Sequence, residues 1–261
     1  GLHTGLISNV KLLPAKEDEG IVFKRVDLKN NNIVKANYKN VSSAKLCTTI
    51  ENESGVSVAT IEHLMAAFYL TGIDNVIVEI DNSEVPIMDG SSKDFIKMIE
   101  EQDLQNLYSK RKYLKILKKL ELKENQKFIS IKPNDNCLTV DFELGYNNKI
   151  IGNQKNYISF DSTDLEDIYS SRTFCLHEDI EAIKLSGLAK GGSLDNAIVV
   201  KGEEVLNADG LRNKKEFVNH KILDLAGDFL LSGFRILGDI KCIQGGHSLS
   251  NTFYIAKNSK A

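Results

Sequence analysis

Residues 60–70 place apolar Ile61, Leu64, Met65 and Phe68 at helical spacing, and Gly72 follows as a stop, so a helix is predicted there. A second helix is predicted to open at Ser91, with Asp94 three residues on as in a capping box, and to run towards Leu107. Residues 21–23 and 76–80 read as strands, and the polar, charged stretch 108–112 reads as a join between two units, 1–109 and 110–261. Beyond the join, residues 114–123, 127–132 and 138–144 alternate apolar and polar positions. Leu138, Val140, Phe142 and Leu144 share one face, which predicts an antiparallel meander. A helical stretch near 164–169, an irregular Gly-rich passage at 187–192, a strand at 197–200 and a long helix at 216–231 complete the second half. Strands followed by helices in each half predict an α+β fold of two tandem domains with similar two-layer architecture.

Composition narrows the function. Hydrophobic content of 42% against 26% charged residues suits a folded chain and argues against disorder. A net charge of −3 supplies no global basic field, so polynucleotide is not an expected partner, although a few Lys and Arg residues could hold a small anion. Cys47, Cys137, Cys175 and Cys242 lie too far apart for a metal knuckle or a dense disulfide framework, which points to a reducing cytoplasm. No apolar run approaches the roughly 20 residues of a membrane span, and a soluble monomer is expected. The sequence opens at Gly1 rather than Met, so an initiator and an upstream segment are expected to precede it.

The 216–231 helix is apolar around most of its circumference through Ile222, Leu223, Leu225, Ala226, Phe229 and Leu230, so it should be buried. His220, Asp224 and Asp228 nevertheless recur at i, i+4 and i+8, one polar stripe on a core helix. Two buried carboxylates need a cation or matched donors. A divalent metal held by His220 and Asp224, with Asp228 in support, meets that need; the bland alternative is a stripe that faces solvent. Glu62-His63 opens the earlier helix, and adjacent helical residues diverge by about 100°, which suits one ligand beside one base. His247 in Gly245-Gly246-His247-Ser248 and His3 in Gly1-Leu2-His3-Thr4-Gly5 lie among small residues that would let a ring approach a substrate. Two His and one Asp leave a position open, as in catalytic zinc sites, and imidazole disfavours magnesium.

Five blocks in order resemble one family: Glu62-His63-Leu64-Met65-Ala66-Ala67, Ser171-Arg172-Thr173-Phe174, the Gly191–Ala197 block (residues 191–197), Phe217-Val218-Asn219-His220-Lys221-Ile222-Leu223-Asp224, and Gly246-His247-Ser248-Leu249. The chain resembles the UDP-3-O-acyl-N-acetylglucosamine deacetylases of lipid A biosynthesis. The resemblance implies paired helices sandwiched between sheets, with Zn2+ between the two domains. It further implies His63, His220 and Asp224 as zinc ligands, Glu62 as general base, His247 as general acid and Asp228 as its charge partner. Thr173 is implied as oxyanion donor, Lys221 as a sugar or diphosphate contact, Phe174 as lining for the acetamide and acyl approach, and His3 and Tyr146 as further substrate contacts. Residues 175–202 correspond to the family's inserted unit, an apolar passage for the acyl chain. Two departures stand out: Tyr146-Asn147-Asn148-Lys149 replaces an aromatic followed by His-Pro, and Gln244 stands where relatives carry a basic residue. Competing readings are a zinc amidohydrolase of another acetylated sugar, a non-catalytic module pinned by its metal, and a metal-free nucleotide-sugar-binding protein.

Overall fold

The computed structural model describes residues 1–258. Three strands open the chain, β1 (Val10–Pro14), β2 (Ile21–Arg25) and β3 (Ile33–Lys35). Three short ones follow, β4 (Val41–Ser43), β5 (Thr49–Glu51) and β6 (Ser57–Val58), and form a small antiparallel sheet. Helix α1 (Glu62–Thr71), β7 (Val76–Ile80) and α2 (Lys93–Glu100) complete the first half. The main sheet has the order β1-β7-β2-β3, with β7 antiparallel to β1 and parallel to β2. Strand β7 alternates buried Val76, Val78 and Ile80 with half-buried residues, the period of two expected when one face meets a core.

Helix α1 begins two residues later than its apolar spacing predicts. Thr60 sits at φ 57°, a left-handed conformation a β-branched residue rarely adopts, and its hydroxyl donates to Glu84. The capping box at Ser91 does not form. Ser91 Oγ accepts from Lys93 N, while Ser92 Oγ donates to the His63 carbonyl at 2.7 Å, tying α2 to α1. Helix α2 stops at Glu100, well short of Leu107, because residues 101–106 are exposed and offer no apolar face to a core.

In the second half, the segment 114–123 divides into β8 (Tyr113–Lys115) and β9 (Leu120–Glu124). Then come β10 (Lys127–Pro133), β11 (Leu138–Gly145), β12 (Asn153–Ser159), α3 (Glu166–Tyr169), β13 (Phe174–Leu176), α4 (Ile180–Leu185), β14 (Ile198–Lys201), β15 (Glu204–Val205), α5 (Glu216–Leu230), β16 (Arg235–Ile243) and α6 (His247–Asn258). The expected meander is interrupted: the order is β12-β11-β16-β10-β9, so β16 inserts between β10 and β11, antiparallel to one and parallel to the other. Strands β13, β14 and β15 form a separate three-stranded sheet. The fold is α+β, with six α-helices and mixed or antiparallel sheets among the described residues.

One continuous buried cluster runs from Phe23, Val34 and Val78 through Leu64, Met65 and Phe68 of α1 and Leu223, Ala226 and Phe229 of α5 to Ile129, Val140 and Phe142 of the second sheet. Gly227 lets the two helices touch: a Cβ there would lie 2.1 Å from the Glu62 carbonyl oxygen. That contact sets the head of α1 against the middle of α5.

Candidate active site

Where α1 meets α5, His63 and His220 lie edge to face with ring centroids 5.0 Å apart. Asp224 Oδ1 stands 3.4 Å from His63 Nε2 and 3.3 Å from His220 Nε2. These separations exceed a charge-assisted hydrogen bond, and Oδ1 is buried with no hydrogen-bond partner. Donor atoms bound tetrahedrally at about 2.0–2.1 Å stand about 3.3–3.4 Å apart, so the spacing matches a shared ion. His220 Nδ1 is 3.1 Å from the Ser171 carbonyl, which can only accept, so the proton is on Nδ1 and the Nε2 lone pair faces the trio. His63, His220 and Asp224 thus form a group able to hold a metal ion, and all three are buried.

Burial works hardest on His220 and presses its pKa down to about 3 despite the neighbouring Asp224 carboxylate, leaving the imidazole neutral as a ligand must be. Burial also opposes the Asp224 charge, but the Lys221 and His247 cations outweigh it and hold the carboxyl well below its usual range. Lys221 Nζ takes only the other oxygen, donating to Oδ2 at 2.9 Å while lying 5.5 Å from the Phe174 ring centroid. The lysine expected to reach for substrate therefore begins on Asp224.

His247 is the first residue of α6. Its Nδ1 meets Asp228 Oδ2 at 2.8 Å, and its Nε2 stands 3.7 Å from Glu62 Oε1 and 3.8 Å from Asp224 Oδ2. Burial disfavours the cation, yet Asp228, Glu62 and Asp224 together overcome it and raise the pKa to about 10. Burial raises Glu62 above the ordinary carboxylate range, against the pull of His247 and His63. A cation and a carboxyl of raised pKa therefore face each other beside the metal-ligating trio.

Thr173 enters β13 with its N–H donated to the Gly90 carbonyl at 2.7 Å and its carbonyl accepting from Ile198 N at 2.8 Å. Phe174 packs edge-on against Phe217, Tyr146 and His220 at centroid distances of 4.9, 5.8 and 6.3 Å. His3 is fixed through its backbone N–H on Glu84, and its Nδ1 accepts from Ala189 N at 3.3 Å, leaving Nε2 buried and unpartnered. Burial lowers its pKa, with Glu84 opposing and His247 and His63 adding to the fall, so Nε2 carries the proton of a neutral ring. The sequence reading missed three supports. Thr48 bonds to both Glu62 and Asp228, Ser171 fixes the His220 tautomer, and buried Arg172 pairs with buried Glu216 at 2.9 Å ahead of Thr173. A buried Arg-Glu pair could have been suspected from Glu216 opening an apolar helix.

A sequence model of the UDP-3-O-acyl N-acetylglycosamine deacetylase family matches residues 1–256. The chain belongs to this family. The UDP-3-O-acyl-N-acetylglucosamine deacetylase of Nautilia profundicola is 43% identical over 252 residues, 96% of this chain and 85% of the relative. Those of Pseudoalteromonas translucida and Pasteurella multocida are each 39% identical over 254 residues, covering 96% of this chain and 84% and 83% of theirs. Within this deacetylase-family chain, Gln244 has a local task. Its Oε1 accepts from Gly145 N at 3.1 Å and its Nε2 donates to the Gly145 carbonyl, so the side chain closes β11 against the end of β16.

The 175–202 unit carries exposed apolar side chains. Helix α4 buries none of its residues, and Leu185 and Leu194 are 84% and 45% exposed. A cavity of 340 Å³ between this unit and the first half is lined mainly by polar residues, among them His3, Thr49, Ser57 and Glu84. Leu188 is the unit's apolar contribution to it. No helix among the described residues is long and apolar enough to cross a membrane.

Proposed function

We propose that this chain is a zinc-dependent deacetylase that hydrolyses the N-acetyl group of UDP-3-O-acyl-N-acetylglucosamine, releasing acetate and a free amine in lipid A biosynthesis. The observation that carries the reading is the convergence of an open metal-ligand trio, a carboxyl of raised pKa and a buried imidazolium at one point. His247 Nε2 stands 3.7 Å from Glu62 Oε1 and 3.8 Å from Asp224 Oδ2 there. Residues 1–109 supply Glu62 and His63, and residues 110–261 supply the remainder, so the site forms only where the two units meet.

Two imidazoles and one carboxylate suit zinc, which when bound lowers the pKa of a water towards about 7 and polarises the acetamide carbonyl. Glu62 takes the attacking water's proton on Oε1, because its Oε2 is occupied by the Thr48 N–H at 3.0 Å. Thr173 donates its hydroxyl hydrogen to the developing oxyanion. An amine leaves poorly unless protonated, and His247 gives up the proton on Nε2 while Asp228 holds the ring by Nδ1. Lys221 contacts the sugar or diphosphate, Tyr146 stacks on the uracil, His3 makes a further substrate contact, and Phe174 lines the acetamide and acyl approach. The uncovered Leu185 and Leu194 support an acyl chain laid along the 175–202 unit rather than inside the polar cavity. Four free cysteines suit a reducing compartment and support a cytoplasmic setting.

Acetate release from the acylated UDP-sugar, compared with the same sugar lacking its acyl chain, tests this. Rapid release from the acylated compound alone is expected. Equal turnover of both would favour a broader amidohydrolase.

A further inference from the structure

Thr48 lies 3% exposed just ahead of β5, 180 residues from Asp228 in sequence. Its hydroxyl donates to Asp228 Oδ1 at 2.6 Å, and its backbone N–H donates to Glu62 Oε2 at 3.0 Å. Asp228 is thereby left with Oδ2 for His247 Nδ1, and Glu62 with Oε1 facing His247 Nε2. We propose that Thr48 is a positioning residue of the reaction, a single clamp that orients the general base and the general acid's carboxylate relative to each other.

The clamp acts through geometry, and its catalytic meaning rests on the acid and base roles proposed above. A carboxylate rotates about its terminal bond unless both oxygens are held. Asp228 is held by one donor on each oxygen, and its plane decides where the His247 ring points. Glu62 leaves α1 at its first turn, where the Thr48 amide is, among the described residues, the donor that fixes which oxygen turns towards the site. Because both bonds come from one residue, a displacement of residues 44–48 would move base and acid partner together. No room exists for slack: the cavity bounded by Thr48, Asp228, His247, Asn251 and Tyr254 holds about 10 Å³, no more than one water.

The test uses the zinc-loaded full chain with Thr48→Val, which keeps the shape and backbone N–H but removes the hydroxyl donor, and Thr48→Ser, which keeps the donor. Acetate release and the NMR resonance of the His247 Nδ1 proton are read together. The Val variant should lose about tenfold to a hundredfold in kcat with KM and zinc content little changed, and its His247 resonance should move. The Ser variant should restore both. A Val variant with wild-type kcat and resonance overturns the proposal, as does equal loss in Val and Ser, which would assign the effect to packing of the methyl group. A wild-type chain inert towards the acylated UDP-sugar rejects the deacetylase reading alone. The resonance then decides for or against the clamp: a shift in Val restored by Ser supports it, and no shift rejects it.

Discussion

Asp228→Asn keeps the shape of the side chain but removes its charge and one of its two acceptor oxygens, so it can accept from Thr48 or from His247 Nδ1 but not from both. In the wild type the Asp228 carboxylate lies 2.8 Å from His247 Nδ1, where two unit charges at an effective dielectric of about 20 attract by about 6 kcal/mol. Glu62 and Asp224 remain beside the other ring nitrogen at 3.7 and 3.8 Å, so part of the support for the cation survives. Allowing for that, the variant should lose about two to three pH units of the rise to about 10 that His247 shows, since close opposite charges ordinarily contribute one to three. The alkaline limb of kcat/KM should then fall to about pH 7–8. Rates at pH 9 should drop about tenfold to a hundredfold, while rates near pH 6 stay much closer to wild type. A pH series of acetate release on both proteins measures this. An alkaline limb that does not move would refute the pairing of Asp228 with the proton donor.

The same linkage has a sign for stability. The folded pKa of His247 lies above its ordinary 6.5, so its contribution is fully present below about pH 6.5 and is lost as pH rises towards about 10. Denaturant unfolding of the metal-free chain should therefore show Asp228→Asn costing more at pH 6 than at pH 10, and an equal cost at both would contradict it. Glu62→Gln should lower kcat by about a hundredfold to ten-thousandfold with zinc content intact, and metal loss would move Glu62 from base to ligand. His220→Ala should weaken zinc binding itself, read by metal analysis after dialysis; unchanged zinc would remove it from the ligand set. Gly227→Ala raises helix propensity by about 1 kcal/mol yet drives a Cβ to 2.1 Å from the Glu62 carbonyl, an overpacking cost of about 1–3 kcal/mol, so a net loss of up to about 2 kcal/mol in urea unfolding is expected. A stabilised variant would mean that the helices separate at no cost.

Much of the site was legible because it was written in local periodicity. His220, Asp224 and Asp228 at i, i+4 and i+8 stand out on a helix whose other faces are apolar, and α5 ends within one residue of its expected limit. Glu62-His63 was readable as an adjacent pair at a helix start. The helix that begins at His247 was not predicted, although Leu249 and Phe253, four apart and buried, mark α6 as an amphipathic helix. Strand β16 escaped notice because Gly238 breaks the alternation of Ile236, Ile240 and Cys242; a Cβ at that glycine would meet Ile131 at 2.8 Å. Its insertion between β10 and β11 follows from pairings across about a hundred residues, which no local pattern encodes. Thr48 was invisible for the same reason, since its meaning lies wholly in partners 14 and 180 residues away. Gly227 did carry a signal: a glycine in the middle of an apolar helix marks close backbone approach.

Hydrolysis as proposed depends on one zinc ion gripped by His63, His220 and Asp224, which come from two distant stretches of chain. Stepwise zinc addition to the fully metal-free chain, followed by acetate release from the acylated UDP-sugar, tests it most directly. No activity is expected at zero zinc, with a linear rise to a plateau at one equivalent per chain. Full activity before any zinc is added would contradict it.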